Sequence, residues 1–392
     1  MDVAHTHVCG IDVHKKSVSV CLLIGVFDTN RPKKLQKPFD TTVAGLKQLA
    51  EWLDDHEIEL TVMESTGQYW RPVWTVLAQH SSTTLRLVNP QHIKSIPGRK
   101  TDIKDAQWIA ELSRCGLIRP SYVPDIKTIE LRESTRLKKR ITQHQTVVKN
   151  EIHNILERSN IKLASFINDI FGVAGSKFIE LLMNGEVVTM EKVQSIMSKR
   201  MKASSEEIYE SLQGILSMND RMLISIQYHL YEVYQEEIAS LEAQIQHQMI
   251  VDQELHDRLM EIPGIGAGTA AVILAEIGNN VDSFESEMAL ASWTGLCPGS
   301  YESGGKTYGS RTTRGNPHIK SALAQSAITA KKCKDTYLSA WCYRLQSRTS
   351  KAKANIALAH KLLRIIYQMI KTGDHFDERK LKGWRFQRNH PA

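Results

Sequence analysis

The sequence predicts an α/β domain in the first third of the chain and a mostly helical remainder. Two observations carry this. Short β-rich runs alternate with stretches of helical apolar spacing up to Pro90, and beyond Pro124 spacings of three and four dominate. At 392 residues the chain is long enough for two or three domains with ordinary cores. The segmentation reads as 1–120, 121–258, 259–375 and a basic tail, 376–392.

Val8-Cys9-Gly10-Ile11-Asp12-Val13 and Ser17 to Ile24 read as two strands joined by His14-Lys15-Lys16, a hairpin by pattern. Lys34 to Phe39 adds a third strand. Thr41-Thr42 caps a helix with Leu46, Leu49, Ala50 and Leu53 at helical spacing. A strand from Glu59 ends in Glu64, and Ser65-Thr66-Gly67 breaks it before a helix carrying Trp70, Val73, Trp74 and Leu77. Leu85 to Pro90 closes the strand set. Hairpin, strand, helix, strand, helix, strand is the ribonuclease-H-like (RuvC-like) order, in which the first strand and a later one each deliver a carboxylate.

Asp12 sits inside an apolar strand, where an unpaired ionised acid costs several kcal/mol. Glu64 ends a strand expected beside it. Asp102 and Asp105 lie three residues apart at a predicted helix start, on one face. Four acids converging on a sheet edge make a hard oxygen site suited to Mg²⁺ or Mn²⁺. Two ions about 3.5–4 Å apart could clamp the oxygens of a phosphodiester displacement. The plain alternative caps Asp12 with backbone N–H groups or pairs it with Lys15 or Lys16, pairs the helix acids with Lys100 and Lys104, and leaves Glu64 in solvent.

Pro120 to Pro124 marks a domain break. Beyond it Leu137, Ile141, Val148, Ile152 and Ile155 form one stripe of a helix. Arg132, Arg136, Lys138, Lys139, Arg140, Lys149 and Arg158 crowd its remaining surface, a pattern that neutralises phosphates or, more plainly, a solvated face. Asp220 to about Leu259 reads as one long helix with Leu223, Ile226, Leu230, Val233, Leu241, Ile245 and Met249 as its seam. Such a helix needs a partner, within the chain or in a dimer.

Ile262-Pro263-Gly264-Ile265-Gly266-Ala267-Gly268 has the form of a helix-hairpin-helix turn, in which glycines and free helix N–H groups meet a phosphate. Its plain alternative is a tight turn between packed helices. Ser303 stands before two glycines with Lys306, Arg311 and Arg314 nearby, so its hydroxyl could meet a phosphate whose charge those cations offset. Ser-Gly-Gly is also ordinary loop material. The tail from Arg379 to Arg388 interleaves cations with Trp384 and Phe386, as single-stranded or structured nucleic acid favours.

Gly10 to Lys15, Glu64 to Trp70, Val88-Asn89-Pro90 and Gly98 to Ala106 resemble, in order, the amino-terminal blocks of the DEDD transposases of the insertion-sequence one-ten family. Matched residue by residue, the family's acidic quartet falls on Asp12, Glu64, Asp102 and Asp105. The block from Trp293 to Pro317 resembles that family's carboxy-terminal transposase domain, and its serine nucleophile aligns with Ser303; Ser300 and Ser310 are near alternatives. Pro317-His318-Ile319-Lys320 departs from relatives that carry an arginine nearer the helix start. The resemblance implies Mg²⁺- or Mn²⁺-dependent DNA cleavage and transfer through a phosphoserine link. It also implies a structured guide RNA and a homodimer or tetramer.

The net charge of +7 is mild. Six cysteines lie far apart with no Cys-x-x-Cys pair, which argues against a zinc ribbon and for a reducing cytosol. With no secretory signal and no run of about 18 apolar residues, the expected location is the cytoplasm, at the nucleoid when acting, with no membrane partner. Competing readings are a RuvC-like junction resolvase using metal-activated water and a non-catalytic DNA-bridging protein. An actin-like ATPase shares the first hairpin, but its later glycine-rich nucleotide motifs are not evident.

Overall fold

The computed structural model describes residues 3–27, 31–65, 67–95, 105–198, 201–297, 299, 301–303, 306–309 and 312–383. At 91, 94, 95, 301–303, 306–309, 382 and 383 it describes the backbone alone. The chain divides into two compact units, Met1–Val123 and Pro124–Ala392.

In the first unit the strands are β1 (His7–Val13), β2 (Ser17–Ile24), β3 (Lys33–Asp40), β4 (Leu60–Glu64) and β5 (Thr84–Val88). They form one sheet in the order β3-β2-β1-β4-β5. β1, β2 and β3 pair antiparallel, whereas β4 and β5 run parallel to β1, as the ribonuclease-H-like order requires. Helices α1 (Val43–Asp54) and α2 (Trp70–His80) follow β3 and β4; α3 (Pro90–Ser95) and α4 (Asp105–Arg114) follow β5. Thr42 caps α1 by accepting from the Gly45 amide at 3.2 Å.

Side chains alternate across the sheet, so each face has its own core. Ile11, Val13, Val18, Val20 and Met63 pack with Leu46, Leu49, Leu53, Val73 and Leu77. Val8, Leu60, Val62 and Val88 pack on the other face with Ala106, Ile109, Ala110 and Leu112 of α4.

In the second unit α5 (Ile126–Arg158) is followed by α6 (Leu163–Phe166), α7 (Val173–Met183), α8 (Met190–Ile196), α9 (Ser205–Ser211) and α10 (Met218–Met249). Then come α11 (Gln253–Met260), α12 (Ala267–Ile277), α13 (Glu287–Thr294), the two-stranded β6 (Tyr301–Ser303) and β7 (Lys306–Gly309), α14 (Pro317–Lys332), α15 (Tyr337–Gln346), α16 (Lys351–Thr372) and α17 (Glu378–Gly383). Among the described residues no helix is long and apolar enough to cross a membrane.

Three expectations change here. The long helix ends at Met249, and a 3₁₀ turn over Ile250–Asp252 redirects the chain into α11, which packs on α12. Its partner lies within the chain. Gln145 meets Gln235 at 3.0 Å, Lys138 meets Glu242 at 2.6 Å and Arg158 meets Asp220 at 2.5 Å, so α5 and α10 run antiparallel. The seam differs in the first half of the helix, while Leu241, Ile245 and Met249 are buried as expected. Ile226, Leu230 and Val233 are exposed, and Ile224, Tyr228 and Tyr231 fill the core with Phe171 and Phe178, because tyrosine rings bury large apolar area. On α5, Leu137 is likewise exposed and Leu131 and Leu156 join Val148, Ile152 and Ile155 in burial.

Candidate nuclease site and serine hairpin

The parallel register of β1 and β4 pairs Gly10 with Val62 and Ile11 with Met63. One residue further along both strands come Asp12 and Glu64. Since Ile11 and Met63 face α1 and α2, alternation turns Asp12 and Glu64 toward the face that α4 covers. Asp105 is the first residue of α4 and is exposed. The sheet thus brings two acids side by side at the carboxyl ends of adjacent parallel strands, beneath a helix that opens with a third. Asp102 lies outside the described residues.

Gly10 is what lets α4 lie this close. A Cβ there would collide with the Ala106 carbonyl oxygen and stand 2.5 Å from the Ala110 amide nitrogen. Helix backbone therefore rests directly on strand backbone two residues before Asp12.

Asp12 is 19% exposed, and its carboxylate lies 3.1 Å from His14 Nε2. Burial pushes its carboxyl above the ordinary aspartate value. His14 pulls it down, and the Asp105 charge pushes it further up. Its partner is thus His14, in the turn of the hairpin, rather than Lys15 or Lys16. Glu64 is half-buried.

Carboxylates that burial and mutual repulsion both penalise are a donor set a divalent cation fits, since it relieves both costs and prefers hard oxygen ligands. Among the described residues no three His, Cys, Asp or Glu side chains already form a cage.

In the second unit Ser303 ends β6 and pairs in register with Lys306 of β7. Arg311, Ser300 and Ser310 lie outside the described residues, as do Trp384 and Phe386 of the tail. Arg314 is exposed on the segment that leads into α14. Several cations of α5 have protein partners. Arg136 donates to Glu276 through Nε at 2.7 Å and Nη2 at 2.8 Å. Lys138 pairs with Glu242, and Lys149 stands 4.9 Å and 5.1 Å from the ring centres of Phe171 and Tyr231. Lys139, half-buried, and Arg140, exposed, have no ion-pair partner among the described residues.

The glycine turn that the sequence offers as a helix-hairpin-helix candidate joins α11 to α12. Gly264 has φ +90°, and a Cβ on it would stand 2.5 Å from the Ala330 nitrogen and 2.6 Å from the Ser326 oxygen. Its close approach is therefore to α14. Gly266 and Gly268 have open space where a side chain would stand, at the start of α12.

Glu276 belongs to none of the motifs that the sequence displays. The one legible signal was a lone acid in the apolar run Ala270 to Ile277. Its side chain is fully buried, and beyond Arg136 it accepts from Asn316 Nδ2 at 2.6 Å, with Arg132 Nε 3.4 Å away. Burial pushes its carboxyl up, but the Arg136 and Asn316 hydrogen bonds and the two guanidinium charges outweigh this and hold it below the ordinary glutamate value.

Residues 9–161 match the model of a DEDD transposase family described as "Transposase", and residues 256–341 match that of the transposase IS116/IS110/IS902 family. The chain is 27% identical to the insertion element IS110 uncharacterized 43.6 kDa protein of Streptomyces coelicolor, over 73% of this chain and 75% of that protein. It is 30% identical to the transposase for insertion sequence element IS1328 of Yersinia enterocolitica, over 40% of this chain and 48% of that one. A pilin gene-inverting protein of Moraxella bovis is 23% identical over 94% of this chain and 97% of its own length. Among solved structures, RuvC of Thermus thermophilus aligns over 30% of this chain and all of its own, with a TM-score of 0.24 and 14% identity. Matched at both its sheet-bearing and its serine-bearing segments, the chain belongs to the IS110 family of transposases.

Proposed function

We propose that this transposase cuts and exchanges DNA strands by a phosphoserine route that depends on a divalent cation. The observation that supports it most is the register of β1 on β4, which sets Asp12 beside Glu64 under the helix that Asp105 opens. A cation held by Asp12, Glu64, Asp105 and Asp102 would offset charge gathering on the scissile phosphate.

In this reading Ser303 Oγ bonds to phosphorus as the bond to the leaving sugar oxygen breaks, and the serine proton ends on that oxygen. A hydroxyl from another strand then attacks the phosphoserine and restores the serine. Lys306, Arg311 and Arg314 offset phosphate charge beside it. Lys139 and Arg140, without an ion-pair partner among the described residues, grip a backbone phosphate of DNA or of a structured guide RNA, and Gly266 and Gly268 leave the amino end of α12 open to another. The assembly acts as a dimer or tetramer in the cytoplasm.

The test is strand transfer on a duplex carrying the element end, with magnesium or with chelator, followed by mass spectrometry for a nucleotide adduct on Ser303. The adduct and its loss in Ser303→Ala are the expected results. Undiminished transfer by Ser303→Ala would leave hydrolysis by activated water as the reading. Undiminished cleavage by Asp12→Asn would end the case for the acids.

A further inference from the structure

From Thr312 onward the segment that follows the serine hairpin is tied back to the chain before it and to α14. Thr313 donates its amide to the Cys297 carbonyl at 3.1 Å, and Asn316 donates to that of Trp293 at 3.0 Å. Lys320 Nζ reaches Thr312 Oγ1 at 2.6 Å and the Thr313 carbonyl at 3.4 Å. Gly315 lies against Gly295 so closely that neither accepts a Cβ. The two ends of the hairpin are thereby held together at its stem.

Asn316 has two tasks in this stem. Its Oδ1 accepts from the His318 amide at 3.0 Å, capping α14, and its Nδ2 donates to Glu276. The same carboxylate takes both donors of Arg136. Arg132 meanwhile donates to the Ala275 and Glu276 carbonyls, at 2.9 Å and 2.8 Å, closing the carboxyl end of α12. One buried carboxylate thus joins the basic helix α5, the helix that follows the glycine turn and the stem of the Ser303 hairpin. Apolar packing alone could fill that space without fixing a direction. A charged, bidentate junction fixes distance and angle together.

We propose that Glu276, acting through Asn316, is a positioning residue that sets the Ser303 hairpin in register with α5; this rests on the reading of Ser303 as the nucleophile. DNA gripped along α5 then meets the serine at a distance the junction decides. A misplacement of about 1 Å at a reacting atom costs roughly a hundredfold in rate.

The separating variant is Asn316→Ser, which keeps a capping oxygen for α14 but is too short to reach Glu276. Asn316→Ala loses both the cap and the tie. With full-length complex recovered from cells carrying the element, and a labelled element-end duplex, both variants should lower kcat about a hundredfold while KM stays within about twofold. The melting temperature should fall in both, and further for Asn316→Ala, which also loses the cap. A kcat loss confined to Asn316→Ala, in step with melting, would reduce Glu276 to a structural ion pair and overturn the proposal. So would wild-type kcat in Asn316→Ser while Ser303→Ala is inactive, and that outcome leaves the nucleophile reading standing. Full strand transfer by Ser303→Ala removes both.

Discussion

Gly10 and Ala106 meet backbone to backbone: a Cβ added to Gly10 would run into the Ala106 carbonyl oxygen. This contact sets the height of α4 above β1 and so the separation of Asp105 from Asp12. Gly10→Ala should cost about 1–3 kcal/mol in urea unfolding, as overpacking does. It should also lower cleavage of the element-end duplex beyond the unfolded fraction. Wild-type cleavage in a fully folded Gly10→Ala would dissociate that contact from the acids.

Asp12 is half-buried and repelled by Asp105, so a cation should stabilise the first unit by binding its native state. Magnesium at about a hundredfold its dissociation constant should add roughly 2.7 kcal/mol. Asp12→Asn should abolish that gain without lowering stability in chelator. Calorimetric melting with and without the ion measures both effects, and an equal magnesium shift in Asp12→Asn counts against the site.

The glycines of the α11–α12 turn should behave differently from one another. Gly264 combines φ +90° with the α14 backbone, so Gly264→Ala should lose about 1–3 kcal/mol from strain alone. Gly268 lies inside α12 with open space, and Gly268→Ala should gain about 0.5–1 kcal/mol. If Gly268→Ala also weakens DNA binding in a filter assay, the helix start is a contact. Unchanged affinity would make the turn purely structural.

Glu276 links folding to pH. Its folded carboxyl titrates below the ordinary value, so its contribution is complete above the unfolded pKa, about 4.3, and is lost as pH falls through the lower folded value. Glu276→Gln leaves two guanidiniums without their counter-charge and should cost about 3–5 kcal/mol at neutral pH. The gap from wild type should narrow below about pH 4.3. A gap that holds constant down to pH 3 would show that ionisation of Glu276 plays no part.

Lys139→Ala with Arg140→Ala should reduce the slope of log affinity against log salt by about one per phosphate lost. Lys138→Ala, whose ammonium is already spent on Glu242, should leave the slope unchanged. Fluorescence anisotropy over a salt series separates the two, and the reverse ranking would reassign the DNA-facing side of α5.

What could be read ahead of the structure was whatever repeats locally. Strand alternation around Asp12 and Glu64, the Thr42 cap and the helical spacing of Leu46, Leu49 and Leu53 each depend on residues a few positions apart. The seam of α10 is legible at Leu241, Ile245 and Met249 but not in the first half of the helix, where exposed Ile226 and buried Tyr228 both satisfy a period near 3.6 and only the neighbour decides between them. The basic surface of α5 had the same ambiguity. A charge count does not say that Arg136 turns inward to Glu276, 140 residues later, while Arg140 remains in solvent.

By itself the sequence determined the strands and helices of the first unit, because periodicity and capping act over a few residues, while the candidate acids and serine rest on the family resemblance. Only the tertiary structure decided the register of β1 on β4 that sets Asp12 level with Glu64, that Gly10 admits α4, and that Glu276 ties three separate segments together. Those are pairings across long loops, set by shape and burial, and no local pattern encodes them.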